Sequence, residues 1–323
     1  MSPAGTRRIG VTGLGTFLGR RLTERLAERP RVVVHGLDRR RPYGLDTRVQ
    51  LHPVDLARPT ADADLADVLR KEEVDTVLHL AFRRAPTPDV EADHELETIG
   101  SLHLLHACAA AGVHKLVVGS STMVYGPCPD NPAYLEEHHP LRGHPHAHQV
   151  ANRVEVEGLV ADFARRRPAV EVSVLRPCWI MGPTYWDPVV RYFSRPLVPT
   201  LLGYDPMIQF VHEEDVLHAF ERAVLEAHPG VYNVVAPEAM PLSRVLRVAG
   251  RRTLPLPAAL VRRLRDVPSR ATTGDPPDGF YDYLRYGWVA AGEKGWAAFG
   301  EPVYTTREAW MSFVSSRRMR RYR

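Results

Sequence analysis

A glycine-rich turn, a carboxylate one strand later and a run of histidines are the parts of this sequence whose types and spacing could do chemistry. Val11-Thr12-Gly13-Leu14-Gly15-Thr16-Phe17-Leu18-Gly19 follows a β-rich run and opens a helical one. Its backbone N–H groups would therefore lie at the positive end of a helix, where a pyrophosphate binds. Gly13 and Gly15 permit the tight turn and a close approach by the ligand, and Gly19 lets helix and sheet pack closely. Asp38 ends the second β-rich run, 25 residues after Gly13, where a carboxylate accepts hydrogen bonds from adenosine ribose hydroxyls. A structural βα turn is the plainer alternative; Asp38 favours a dinucleotide site. It also favours NAD, because a carboxylate repels the 2′-phosphate of NADP. Arg39, Arg40 and Arg41 keep NADP open, since an arginine there neutralises that phosphate. Asp55, in Val54-Asp55-Leu56 at the end of the third run, is placed either to meet the adenine amino group or to cap a helix.

The elements that must position these residues read as parallel βαβ units. β-rich runs at Ile9–Thr12, Val32–Leu37, Val49–Pro53, Thr76–Leu80, Lys115–Gly119 and Val170–Leu175 alternate with helical patterns at Phe17–Glu28, Leu65–Lys71, Glu95–Ala111 and Val150–Arg166. The fold class expected is α/β, a Rossmann-like doubly wound parallel sheet with a smaller C-terminal substrate lobe. The division expected is a nucleotide-binding domain over 1–177 and a substrate lobe over 178–323, with segments around 205–235 returning to the sheet.

At 323 residues and 44% hydrophobic content the chain can bury a sizeable core. No apolar stretch reaches the ~20 residues that cross a bilayer, and the N-terminus has no apolar leader core, so a cytoplasmic protein without membrane contact is expected. Cys108, Cys128 and Cys178 are odd in number and lack CxxC spacing, which suggests plain thiols and no metal site. The net charge of +4 is spread along the chain and does not mark a nucleic-acid partner; the tail Arg317–Arg323 is expected to be a solvated terminus.

These residues resemble the extended short-chain dehydrogenase/reductase superfamily of NAD-dependent sugar epimerases and dehydratases. The likeness runs through the glycine turn, Asp38, Asp55-Leu56, His79-Leu80-Ala81, Gly100-Ser101, Ser120-Ser121-Thr122-Met123-Val124-Tyr125-Gly126, Leu175-Arg176-Pro177 to Gly182-Pro183, and Phe210-Val211-His212 to Asp215. It implies cofactor contacts at Gly13, Gly15, Thr16, Phe17, Leu18, Gly19, Asp38, Arg39, Asp55, Leu56, Leu80, Ala81, Arg153 and Pro177. It also implies a substrate oxygen held by Ser121 with Thr122 beside it.

The chain departs from the family's Tyr-x-x-x-Lys pair, placing Gln149 at the tyrosine and Arg153 at the lysine. The three lysines, Lys71, Lys115 and Lys294, lie elsewhere. A glutamine amide does not titrate; Arg153 could still hold ribose hydroxyls. Thr16 stands at the family's middle glycine, with Gly15 free to compensate by an unusual backbone angle, and Glu97 stands where the family has asparagine. His146 and His148, just before Gln149, offer a substitute acid or base if their loop folds inward, a metal site, or simply an exposed polar loop.

Met207-Ile208-Gln209-Phe210 carries no cation for a nucleotide-sugar diphosphate. Trp179, Met181, Tyr185, Trp186 and Phe193 line either an apolar pocket for a lipophilic or aromatic small molecule or the core of the lobe. The resulting expectation is an NAD(P)-binding oxidoreductase or epimerase acting on a hydroxyl or carbonyl with non-standard acid/base residues. The alternatives are a non-catalytic dinucleotide-binding sensor and a non-redox lyase or cyclase that reuses the pocket. A homodimer is suggested by the resemblance alone.

Overall fold

Strands β4 (Thr76–His79) and β5 (Lys115–Gly119) are buried at every residue, the pattern of parallel strands covered on both faces. They lie at the centre of a seven-stranded sheet with β1 (Arg7–Thr12), β2 (Val32–Asp38), β3 (Gln50–Pro53), β6 (Glu171–Pro177) and β11 (Gly230–Val234), in the order β11-β6-β5-β4-β1-β2-β3. Every pairing in it is parallel. The computed structural model describes residues 5–83, 87, 89–260 and 279–320; the last three residues of the arginine-rich tail lie outside them.

Helices cover both faces. α1 (Phe17–Glu28) and α7 (Glu213–Leu225) pack together on one, with Leu22, Leu26, Phe220 and Val224 in the core. α2 (Ala61–Lys71), α4 (Gly100–Ala111) and α5 (His148–Arg166) cover the other through Leu65, Leu69, Leu104, Cys108, Val156 and Val160. Between β1 and β4 the strand order reverses, and the crevice beyond the carboxyl ends of these strands is where ligands of open α/β sheets bind.

One expected helix is interrupted. In place of a continuous Glu95–Ala111 helix, a short α3 (Val90–His94) passes through a π turn, Glu95–Ile99, into α4. The wide turn delivers the Glu97 carboxylate into the interior, where it accepts hydrogen bonds from the Arg83 N–H (2.7 Å) and Asn152 Nδ2 (2.9 Å). Gly100 lies so close to the loop after β3 that a Cβ would stand 2.9 Å from Leu56 Cβ.

Beyond β6 the chain forms three small sheets: β7 (Trp179–Met181) with β10 (Phe210–His212), β8 (Leu197–Leu201) with β13 (Arg252–Leu256), and β9 (Met207–Ile208) with β12 (Met240–Pro241). Among the described residues of this part are also helices α6 (Pro188–Ser194), α8 (Leu242–Val248), α9 (Phe280–Tyr283), α10 (Glu293–Phe299) and α11 (Thr306–Arg320). Its centre is an aromatic cluster: Trp179 meets Phe193, Phe210, Phe280 and Trp288 at centroid distances of 4.8–6.4 Å. Phe193 and Met181 are fully buried, and Trp186 is exposed beneath the Arg317 guanidinium. The expected apolar pocket wall is thus reduced to Trp179 and Tyr185, because the others pack as core or face out.

Candidate cofactor and substrate site

The turn after β1 is shaped by its glycines in three different ways. Gly13 has φ +73° and a Cβ on it would lie 2.3 Å from the Leu80 carbonyl oxygen; a Cβ on Gly19 would lie 2.1 Å from the Gly13 carbonyl oxygen. Both positions exclude a side chain on backbone grounds. At Gly15 a Cβ would meet nothing within 4 Å, so the open space there belongs to whatever binds the turn. The expected unusual backbone angle falls on Gly13, not Gly15. Thr16 explains why: its Oγ1 donates to the Gly13 carbonyl (2.8 Å) and accepts from the Gly19 N–H (2.9 Å), capping α1 and tightening the turn.

Asp38, at the end of β2, ties the turn to the second strand. Its carboxylate accepts from the Leu14 N–H (2.9 Å) and the Arg39 N–H (2.7 Å), and burial pushes its pKa up against those hydrogen bonds. A cavity of about 470 Å³ opens beside it, lined by Gly13, Gly15, Thr16, Leu37, Asp38, Arg39, Val54, Leu56, Ala81 and Phe82 among others. The Arg39 guanidinium is 3.3 Å from the Asp55 carboxylate, and Arg41 donates to the Asp46 and Val49 carbonyls. Asp55 also accepts from the Ala57 N–H (3.2 Å), so it organises the turn before α2; the residue preceding α2 itself is Thr60.

A second cavity of about 160 Å³ continues from Thr16, Phe17, Leu18 and Leu80 to Ser120, Ser121, Gln149, Arg153, Pro177, Trp179 and Tyr185. Ser121 caps the 3-10 turn Thr122–Tyr125 by accepting from the Met123 N–H (3.2 Å). Thr122 is fully buried and does not line the cavity, whereas Ser120 does, with its hydroxyl donating to the buried Glu157 carboxylate. Gln149 and Arg153 stand four apart on α5 and share the face turned to the cavity. The Arg153 guanidinium lies 4.5 Å from the centroid of the Phe82 ring and 3.4 Å from the Gly119 carbonyl. Burial pulls its pKa down, opposed by the charges of Glu97, Tyr185 and Glu157.

His146 and His148 are exposed, and neither lines the cavity. The loop does not fold inward at those positions: His144 is the buried member, its Nε2 3.0 Å from the Asp282 carboxylate and its Nδ1 accepting from the His146 N–H. Among the described residues the one His/Glu cluster with metal-like spacing is His35, His52 and Glu72, on β2, β3 and the end of α2. A His35–His52 hydrogen bond of 3.2 Å accounts for that proximity.

Four further polar side chains are committed within the fold. Arg176 forms a buried two-pronged ion pair with Glu157 (Nη2–Oε2 2.6 Å) and donates to the Tyr125 hydroxyl (2.8 Å). Tyr125 donates in turn to Asn233, and burial pushes its pKa up to about 12. Gln209 spans from the Ala236 and Ala290 carbonyls to the Ala290 N–H. His79, on β4, lies between Thr12 Oγ1 (2.7 Å) and Ser101 Oγ (2.8 Å), and burial holds its pKa down to about 3. Two side chains of the cavity keep unmet polar atoms: Gln149 Oε1 and Trp179 Nε1 are buried without a hydrogen-bond partner.

The profile of the NAD dependent epimerase/dehydratase family matches residues 9–235, from β1 through the last strand of the sheet. The chain belongs to that family. It is 32% identical over 319 residues to an uncharacterised protein of Mycobacterium tuberculosis, covering 95% of this chain and 83% of that one. It is 29% identical over 240 residues to UDP-glucose 4-epimerase of Mycolicibacterium smegmatis, covering 67% of this chain and 72% of that one. Among solved structures, UDP-glucose 4-epimerase of Thermus thermophilus, complexed with NAD, superposes with a TM-score of 0.73 at 23% identity, over 96% of this chain and 99% of that one. dTDP-glucose 4,6-dehydratase of Bacillus anthracis, also with NAD, gives 0.71 at 16% identity over 97% of each chain. The family model and these folds agree with the α/β, Rossmann-like architecture read from the sequence. Among the described residues no helix is long and apolar enough to cross a membrane.

Proposed function

We propose that this chain binds NAD across the β1/β4 crevice and acts as an NAD-dependent oxidoreductase or epimerase on a hydroxyl or carbonyl of a small molecule. The observation that carries the reading is the run of cavity from the open face of Gly15, past Asp38 on one side, to Ser121, Gln149 and Arg153 on the other. The residues fit the group. Gly13 and Gly15 let a pyrophosphate approach the first turn of α1, Asp38 takes the adenosine ribose, and Leu56, Ala81 and Phe82 flank the adenine. Arg39 and Arg41 are already engaged by Asp55 and by loop carbonyls, which supports NAD over NADP.

When bound, the nicotinamide supplies a reversible hydride acceptor. The chain supplies the rest. Arg153, fixed over Phe82, offers donors to the nicotinamide ribose, and Ser121 offers a hydroxyl to the substrate oxygen. Gln149 Oε1 and Trp179 Nε1 offer one acceptor and one donor to the substrate, which suits a molecule with an apolar body and at least two polar atoms. A nucleotide diphosphate gains no cation from Gln209, whose amide is committed to the backbone. A homodimer packed through α4 and α5, and a cytoplasmic setting, remain part of this proposal.

The test is calorimetric titration with NAD, NADH, NADP and NADPH, followed by turnover of UDP-glucose, UDP-glucuronic acid, benzyl alcohol and benzaldehyde read as nicotinamide absorbance. Micromolar binding of the NAD pair, lost in Asp38→Ala, is expected. Absence of binding by all four, with no dinucleotide released on denaturation, would sink the proposal.

A further inference from the structure

We propose that Tyr185 is the proton-transferring residue of this site, entering from the wall opposite α5, with Asp187 as its proton acceptor and Arg153 as its positioning partner. The inference deepens the NAD-dependent reading above and rests on it.

Placement comes first. Tyr185 lines the same cavity as Ser121, Gln149 and Arg153, and its ring meets the edge of Phe17, the first residue of α1, at a centroid distance of 5.0 Å. The phenol is thus brought to the end of the glycine turn from the loop after β7. That loop is clamped. The buried Glu213 carboxylate accepts from the Tyr185 N–H (2.6 Å), the Thr184 N–H (3.1 Å) and Thr184 Oγ1 (2.7 Å). Gly182 passes so near it that a Cβ would stand 2.3 Å from Glu213 Oε2. A loop fixed this firmly leaves only the phenol's own torsions to be ordered on reaching a reactive geometry.

Chemistry follows from its partners. The Tyr185 hydroxyl donates to Asp187 Oδ2 (3.2 Å), and Asp187 Oδ1 caps α6 by accepting from the Val190 N–H (2.7 Å). The carboxylate is therefore oriented before any substrate arrives. Arg153 lines the same cavity, and the ionised form of the phenol would raise the pKa of its guanidinium against the effect of burial. Among the described residues, the charged groups that face this tyrosine include Asp187 from its own loop, Arg153 from α5 and Glu213 from α7 at its backbone; Phe17 of α1 is uncharged. Other candidates are committed elsewhere. Tyr125 is bonded to Asn233 and Arg176, Tyr283 donates to the Met123 carbonyl, and His146 and His148 face solvent.

In the oxidising direction the substrate hydroxyl proton moves to the Tyr185 oxygen as Tyr185's own proton moves to Asp187 Oδ2. The substrate carbon releases a hydride, with its bonding pair, to NAD+, and the C–O bond becomes a carbonyl. The alcohol is oxidised, NAD+ is reduced and the proton rests on Asp187; reduction runs the same transfers backwards. Arg153 offsets the partial negative charge on the phenol oxygen whenever Tyr185's own proton leaves before the substrate's arrives.

The experiment is an ultraviolet pH titration of tyrosine ionisation, in which the difference between wild type and Tyr185→Phe isolates one of the 12 tyrosines. The same difference is taken in Arg153→Met and Asp187→Asn backgrounds. The titration is expected to move up by about one pH unit or more without the cation and down without the carboxylate. On whichever probe of the panel above the wild type turns over, Tyr185→Phe should lower kcat about 10²- to 10⁴-fold, with NAD+ affinity within about twofold of wild type. A tyrosine titration indifferent to both backgrounds, or a Tyr185→Phe variant with wild-type kcat, overturns the inference. Failure of wild type to bind NAD+ overturns the cofactor reading instead, and the titration, which needs no ligand, still decides whether Tyr185, Asp187 and Arg153 act as a unit.

Discussion

Alanine at each of the three turn glycines should separate folding from cofactor binding, because the space around them differs so sharply. At Gly15 the added Cβ meets no protein atom within 4 Å and the backbone lies outside the left-handed region. Gly15→Ala should therefore leave the thermal midpoint within about 2 °C of wild type, corresponding to less than ~1 kcal/mol. The methyl instead occupies the approach to the turn, and displacing a pyrophosphate from its N–H groups should weaken NAD+ binding at least tenfold, or about 1.4 kcal/mol, with Gly15→Leu weaker still. Gly13→Ala places a Cβ at φ +73° and 2.3 Å from the Leu80 carbonyl oxygen. Left-handed strain of about 1–2 kcal/mol and an overpacking cost of about 1–3 kcal/mol add to roughly 2–5 kcal/mol. At about 2–4 °C per kcal/mol the midpoint should fall by about 5 °C or more. Differential scanning fluorimetry and calorimetric titration on the same preparations read both quantities. If Gly15→Ala is as destabilised as Gly13→Ala, or binds NAD+ as tightly as wild type, the open face at Gly15 is not the cofactor seat.

Buried titratable groups give three further outcomes. Arg176→Met alone strands the Glu157 carboxylate and should cost about 3–5 kcal/mol in urea unfolding, whereas Arg176→Met/Glu157→Leu should recover most of it. Because His79 titrates near 3 when folded and near 6.5 when unfolded, only the unfolded chain takes up its proton between those values. Stability should therefore fall as pH drops below about 6.5, by about 2 kcal/mol from this residue at pH 5. His79→Gln should flatten that part of the urea midpoint profile; a slope unchanged from wild type would contradict the buried neutral imidazole. Glu97→Gln presents one donor where two are already received, from Arg83 and Asn152, and should lower stability by about 1–3 kcal/mol in the same assay.

The sheet was legible because its information is local. Short β-rich runs with adjacent apolar residues, such as Thr76–Leu80 and Lys115–Gly119, admit burial on both faces, and the glycine turn with Asp38 declares the first βαβ unit within about 30 residues. The π turn was not, since its cause, the Glu97 carboxylate reaching Arg83 and Asn152, depends on contacts 14 and 55 residues away. Sequence adjacency was misleading at the histidines. His148 precedes Gln149 by one residue, which on a helix of 3.6 residues per turn is a rotation of about 100°, whereas Arg153 at four residues returns to the same face. Met181 and Phe193 were legible as apolar, with pocket wall and core both open, because the partners that settle Phe193 as core, Phe210 and Trp310, arrive from later elements. Tyr185 was legible only as a ring; Glu213, Asp187 and Arg153, which give it a chemical setting, come from two other helices and its own loop.

The unmet polar atoms bear on which substrates suit the pocket. A buried donor or acceptor without a partner costs about 1–3 kcal/mol, and Gln149 Oε1 and Trp179 Nε1 both stand in that condition on side chains lining one cavity. A wholly lipophilic ligand would cover them and recover none of that cost. A ligand with a hydroxyl toward Gln149 and a carbonyl or ether oxygen toward Trp179 would recover both while its carbon skeleton packs against Met123, Ile180 and Val189. The polar atoms that Gln149 of α5 brings to the cavity matter here too. A tyrosine at position 149 would bring a single hydroxyl in place of a separate amide acceptor and donor, so glutamine changes what the pocket can hold as well as what it can protonate. Proton transfer from the opposite wall, at Tyr185, is compatible with that use of Gln149, because the two side chains then contact the substrate from different sides.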